Sequence, residues 1–306
     1  MRIVSLLASG TEIACALGLA DALVGISHEC DYPESVLDRP RVSRPRFDPE
    51  GMDSGAIDRA VRETMERFGS VYEVDAELLE ALEPDLILTQ AVCEVCAVPT
   101  PGVRTLVRER GIRTRVLSLD AHRLDDILGT VLEVGRAAGV TDRADALVAD
   151  LRGRMEAVFT AVHGRQEPSL LGIEWLDPPF VPGHWVPEMV ELARARNLAG
   201  EAGARSVEVP WESLEGLDPD ALLVMPCGYG LEAAHADADR HAERLAAVAP
   251  RALADGRAWV VDASSYFNRS GPRVVRGVEI LAGLLHPDAL PAPVAEEARR
   301  WTLPDR

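Results

Sequence analysis

Short apolar runs alternate with amphipathic stretches along most of the chain. Runs of strand length occur at Ile3–Leu7, Ala22–Ser27, Leu86–Thr89, Arg115–Leu119, Leu170–Glu174, Ala221–Met225 and Ala258–Asp262. Between them, Thr11–Leu17, Asp75–Leu82, Pro101–Arg110, Trp185–Ala193, Trp211–Leu217 and Pro272–Leu285 read as helices. The first pattern suits strands buried on both faces, and the second suits helices laid over them. Their alternation predicts an α/β fold with parallel sheets covered on both sides.

The stretch from 122 to 165 breaks this rhythm. Ile127, Leu128, Val131, Leu132 and Val134, then Leu147, Val148, Leu151, Met155, Val158 and Phe159, recur at helical spacing with no strand among them. This predicts a linker helix, or two helices broken near Gly139, joining lobes at 1–121 and 166–306. The lobes also resemble each other. A segment ending Leu82-Glu83-Pro84-Asp85 leads into Leu86-Ile87-Leu88, and Leu217-Asp218-Pro219-Asp220 leads into Ala221-Leu222-Leu223. In each, proline stops the helix and aspartate suits the turn.

Composition changes the picture in three ways. The 306 residues exceed one ordinary core and suit two domains of ~100–150 residues. A formal net charge of −18 argues against nucleic acid and anionic lipid as partners. All 32 basic residues are arginine, which excludes Schiff-base chemistry and the lysine of a Walker loop. No apolar run approaches the ~20 residues of a membrane span, so no membrane insertion is expected. Met1-Arg2 runs directly into the first strand without the pattern of a signal peptide. The expected location is the cytoplasm, or the cell envelope if the start of the chain is trimmed. In a reducing compartment the five cysteines would be thiols or metal ligands.

Ligands of open α/β sheets bind beyond the carboxyl ends of the strands. Two lobes would therefore enclose a cleft lined by the loops after their strands. Those loops carry Ser9, Tyr32, Gln90, Glu174, Trp175, Phe180, Trp185, Tyr266, Phe267, Asn268 and Arg269. Aromatic residues are only 5% of the chain, yet many fall here. Aromatics with a few polar groups suit a large, flat, partly apolar ligand. The bland alternative is that Trp185 and Phe267 pack beneath their own helices. His28-x-Cys30 and Cys93-x-x-Cys96 form a possible tetrahedral set for zinc or another divalent metal. A neutral imidazole at His28 could alternatively ligate the metal of a bound cofactor. No Gly-x-Ser-x-Gly elbow, His-Glu-x-x-His or phosphate loop is present, so an enzyme is not expected.

In several segments the chain resembles the substrate-binding proteins of ABC-type vitamin B12 and iron-siderophore importers. These are Ile3 to Glu12, Asp31-Tyr32-Pro33, Pro178-Pro179-Phe180, Val209-Pro210-Trp211, Tyr266-Phe267-Asn268-Arg269 and Gly271-Pro272-Arg273. The vitamin B12-binding type is the closer match, although Ala8 stands where the family usually has proline. The resemblance spans about residues 2–287. It implies the class III fold, two Rossmann-like lobes joined by a rigid helix, and reversible capture of cobalamin or another corrinoid between them. It also implies a monomer whose lobes each dock one glutamate on an ABC permease. Glu77 and Glu212 match those positions, each seven residues before its proline. The alternative is a metal, haem or siderophore-iron carrier using His28, Cys30, Cys93 and Cys96.

Overall fold

The computed structural model describes residues 1–92 and 97–304. The strands are β1 Ile3–Ser5, β2 Leu23–Ile26, β3 Ser43–Pro45, β4 Tyr72–Val74, β5 Leu86–Thr89 and β6 Arg115–Ser118 in the first half. The second half contains β7 Ser169–Ile173, β8 Trp175–Leu176, β9 Pro179–Val181, β10 Arg196–Asn197, β11 Val207–Glu208, β12 Ala221–Val224, β13 Ala258–Val261 and β14 Ala298–Arg300. The α-helices are α1 Ala8–Ala16, α2 Ser54–Phe68, α3 Ala76–Ala81, α4 Thr100–Arg110, α5 Leu124–Ala138, α6 Thr141–Val162, α7 Val186–Leu192, α8 Leu231–Arg240, α9 Ala242–Val248, α10 Pro250–Ala254, α11 Ala263–Tyr266 and α12 Val274–Leu285.

Each lobe is built on a parallel sheet. The first has the order β2-β1-β5-β6 and the second β10-β7-β12-β13-β14, with only β14 antiparallel. The central strands are wholly buried, as Ile3, Ile87, Leu171, Leu222 and Val260 show. Helices on both faces supply the cover, which is why these strands read as unbroken apolar runs. Trp211–Leu217 yields only a single 3₁₀ turn, Trp211–Ser213. Gly216 lies in the left-handed region and ends any continuation.

The matching turns of the two lobes share their geometry as well as their sequence. Glu83 and Asp218 both have positive φ, 41° and 40°. Each precedes a proline, which bars it from the right-handed helical region. The aspartate that follows then caps the first strand of its sheet. Asp85 accepts from the Arg2 N–H at 2.7 Å, and Asp220 accepts from the Ser169 N–H at 2.8 Å. Ser169 Oγ adds a second bond to Asp220 at 2.7 Å.

The linker comprises two helices, broken at Gly139, whose φ is +73°. α6 is 22 residues long, about 33 Å at 1.5 Å per residue. Near its start Arg143 donates to the Leu17 carbonyl of the first lobe. Farther along, Arg154 pairs with Glu279 of the second at 2.8 Å. α5 and α6 cross closely at Gly135, where a Cβ would overlap Ala144.

Two further contacts tie the lobes across the cleft. At one end, Glu12 of α1 is clasped by Arg273, with bonds of 3.0 and 2.7 Å. Arg269 stands 3.6 Å from the same carboxylate and binds Asp31 at 2.9 Å. At the other end, α2 reaches over to the second lobe. Ser54 Oγ donates to Asp237 at 3.1 Å, and Arg62 pairs with Glu208 at 2.8 Å. Gly55 gives the Asp177 carboxylate room there, since a Cβ would overlap it unless that side chain moved.

Asp220 is held below the usual carboxylate range by its bonds to the Ser169 N–H and hydroxyl. Its stabilising contribution is therefore present above that range and lost as pH falls through the depressed value. We expect Asp220→Ala to cost about 1 kcal/mol at pH 7 and progressively less in acid, read from denaturant unfolding at several pH values. Equal loss at all pH values would refute the ionic cap. For the clasp, the Glu12 side chain is only 3% exposed. Arg273→Ala should cost up to about 3 kcal/mol by stranding that charge, and adding Glu12→Gln should recover part of it. A double variant less stable than Arg273→Ala would contradict this account.

Candidate ligand-binding cleft

The loops after the strands of both sheets converge on one cavity of about 310 Å³. His28, Glu29 and Asp31 line it from the first lobe, just past β2. Gly228 and Gly230 follow β12, and Asp262, Ser264, Ser265 and Arg269 follow β13. These are the carboxyl ends of parallel strands, where such sheets place ligands. A larger hollow of about 690 Å³ lies beside Arg123, Glu191, Arg196 and Glu201. It draws its wall from the linker start and the second lobe only, so it lies outside the cleft.

His28 is fixed from one side. Its Nδ1 lies 2.9 Å from Ser43 Oγ, and its ring packs 4.8 Å from that of Tyr72. Nε2 is buried without a hydrogen-bond partner. Glu29 Oε1 stands 3.1 Å from it, but off the line a hydrogen bond requires. Opposite, Glu174 accepts from Ser206 Oγ at 2.6 Å. Burial pushes the Glu174 carboxyl up to about 7, against the lowering effect of bonds from Ser206 and Gly183. Burial, with Glu174 nearby, pushes the Cys227 thiol up to about 12, so it stays protonated.

Of the residues expected at the cleft, His28 and Arg269 line the cavity. Tyr32 and Tyr266 flank the clasp, with the Arg273 guanidinium 4.3 Å from the Tyr32 ring and 5.7 Å from that of Tyr266. Trp175 meets Tyr229 edge-on at 5.2 Å and pairs with Phe180 across β8 and β9. Tyr229 lies between the two lining glycines, so this aromatic group stands beside the cavity. Ser9 is buried at the lobe junction, 3.3 Å from Ser270 Oγ. Gln90 is buried at the end of β5, and its carbonyl accepts from the Thr100 N–H. With its amide turned so that nitrogen donates and oxygen accepts, Asn268 bridges the Ala263 carbonyl and the Cys227 N–H at 3.2 and 3.3 Å.

Three expectations need correction. Trp185 and Phe267 are core residues: Phe267 is fully buried, and the Trp185 indole donates to its carbonyl at 2.7 Å. Both pack beneath α12, where large aromatics gain most from burial. Cys30 is buried too, with its sulfur 3.1 Å from Thr11 Oγ1, and acts as a small apolar residue. It therefore does not join His28 in a metal set. Cys93 and Cys96 lie outside the described residues. Among the described residues no group of three or more His, Cys, Asp or Glu is placed to hold a metal.

Sequence reasoning did not single out Glu29, Asp262 or the Glu12–Arg273 clasp. The signal for the clasp was the spacing of Arg269 and Arg273, four residues apart at the entry to a helix, with Glu12 as the one acidic residue of α1. The pairing itself joins residues 261 positions apart.

The chain matches the family model described as periplasmic binding protein over residues 3–258. It is 25% identical to the ABC transporter substrate-binding lipoprotein YvrC of Bacillus subtilis, covering 94% of this chain and 80% of that protein. It is 23% identical to the vitamin B12-binding protein of Vibrio cholerae, covering 91% and 86% respectively. Its architecture superimposes on a periplasmic heme-binding protein from Pseudomonas aeruginosa with a TM-score of 0.73 at 24% identity, covering 99% of both chains. With two sheets, a helical linker and an inter-lobe cleft matching that architecture, the chain belongs to the periplasmic binding protein family.

Proposed function

We propose that this protein captures a corrinoid between its lobes for an ABC-type importer. The observation that carries the choice of ligand is the charge of the cavity. Glu29, Asp31 and Asp262 line it, while Arg269 already serves Asp31. Haem presents two propionates, and such a lining repels them. A corrinoid presents a rim of amide N–H donors, which carboxylates accept. The adjacent Trp175, Phe180 and Tyr229 offer apolar surface to a macrocycle. The Vibrio cholerae relative's vitamin B12 supports the same reading.

The cavity of about 310 Å³ is at the lower end for small-molecule sites and smaller than a whole corrinoid. Capture therefore proceeds from a more open arrangement, with the Glu12 clasp and the α2 contacts loosened. Glu77 and Glu212 suit docking on a permease. Both are exposed, and each is the second residue of the turn that begins its segment. Paired surface carboxylates, one per lobe, would set orientation more than affinity.

Titration with cyanocobalamin and with hemin, followed by tryptophan fluorescence, tests the ligand. We expect cyanocobalamin to bind at micromolar or tighter Kd and hemin at least about tenfold more weakly, a difference of about 1.4 kcal/mol. Hemin binding alone would overturn the corrinoid reading. For docking, Glu77→Arg with Glu212→Arg should leave cyanocobalamin affinity unchanged while abolishing stimulation of the cognate importer's ATPase. Stimulation undiminished in that double variant would remove these glutamates from the interface.

A further inference from the structure

We infer that His28 Nε2 ligates the central metal of the captured macrocycle and so selects forms with a displaceable axial ligand. This rests on the corrinoid reading and adds to it the atom that senses the metal. The hydrogen bonds around the ring assign its tautomer. Ser43 Oγ donates its single proton to Ser27 Oγ at 3.2 Å. Its lone pairs then accept from the His28 backbone N–H at 3.3 Å and from Nδ1 at 2.9 Å. Nδ1 therefore carries a ring proton, and in the neutral ring the lone pair falls on Nε2, which Glu29 Oε1 approaches to 3.1 Å.

That lone pair sits on a buried nitrogen without a hydrogen-bond partner, in a residue that lines the cavity. Leaving a buried acceptor unmatched costs free energy, which a ligand seated in the adjoining cavity can recover. A histidine whose distal N–H is anchored to an oxygen is the arrangement metal sites use to orient and strengthen the ligand. Other donors are less suited. The Cys227 thiol is held protonated by burial, Cys30 turns into the core against Thr11, and the Glu29 carboxylate is a hard donor better matched to calcium or magnesium. The Tyr72 ring packed against the imidazole limits its rotation. Binding breaks one metal–water bond and forms one metal–nitrogen bond, with no change of oxidation state and release of the water.

Aquocobalamin has a displaceable water, whereas both axial positions of cyanocobalamin are filled. Wild type should bind aquocobalamin at least about tenfold more tightly than cyanocobalamin, with a shift of its visible absorption bands to those of an imidazole complex. His28→Ala and His28→Gln should bind the two forms equally, without the shift. An unchanged far-UV circular dichroism spectrum and thermal unfolding midpoint show that these variants are folded. Ser43→Ala should reduce the aquocobalamin preference and leave cyanocobalamin affinity alone. A shift that survives in His28→Ala, or equal and unshifted binding by wild type, would overturn the ligation while leaving capture intact. Failure of wild type to bind either cobalamin would overturn both.

Discussion

A carboxylate buried where two lobes meet cannot stand alone, and Glu12 meets that constraint with arginines from the far side of the chain. Arg273 holds it by two bonds, and Arg269 approaches it while binding Asp31. Removing two charges from water is expensive, so the pair's geometry must be good to offset it. The benefit is directional. Glu12 sits midway along one lobe's leading helix, and Arg273 immediately precedes α12 of the other. The clasp therefore sets how the two sheets face each other and where the loops after β2, β12 and β13 meet.

The linker makes that setting meaningful. A single 22-residue helix touching both lobes resists twisting, so relative motion is confined to hinge-like opening. The clasp and the α2 contacts both join the two lobes, and Arg269 and Asp31 beside the clasp line the cavity as well. Their interactions are polar, whereas the linker packs through a continuous apolar core that includes Ile127, Val131, Leu151 and Val158. Interfaces of polar contacts part more readily than packed cores, and this places the freedom of the molecule at the cleft.

The fold was legible because its signals are local. Apolar runs gave the strands, and Leu-x-Pro-Asp marked equivalent corners that the structure completes with matching aspartate bonds at Asp85 and Asp220. The cleft was less legible because its signals are not. Trp185 and Phe267 stand in loop sequence like Trp175 and Tyr266, and only the packing of α12 decides which pair is buried. Cys30 lies two residues from His28, yet the two side chains find different partners, Thr11 and Ser43. α2 carried visible end signals, an Asp53 cap and Gly69 in the left-handed region, but its reach to Asp237 depends on a tertiary approach no local pattern encodes.

Burial sets the protonation states around the cavity. Cys227 keeps its proton, and Glu174 has its carboxyl raised to about 7 by burial while it accepts from Ser206. The same burial removes water that would compete for a macrocycle's edge, so each hydrogen bond to it is stronger than at an open surface. Neutral thiol, fixed imidazole and acceptor-rich rim together describe a surface that can match a ligand's shape and polarity. Under the proposed capture, selection falls to what the ligand presents: donors at its edge for Glu29 and Asp262, which line the cavity, and an exchangeable position at its centre for His28.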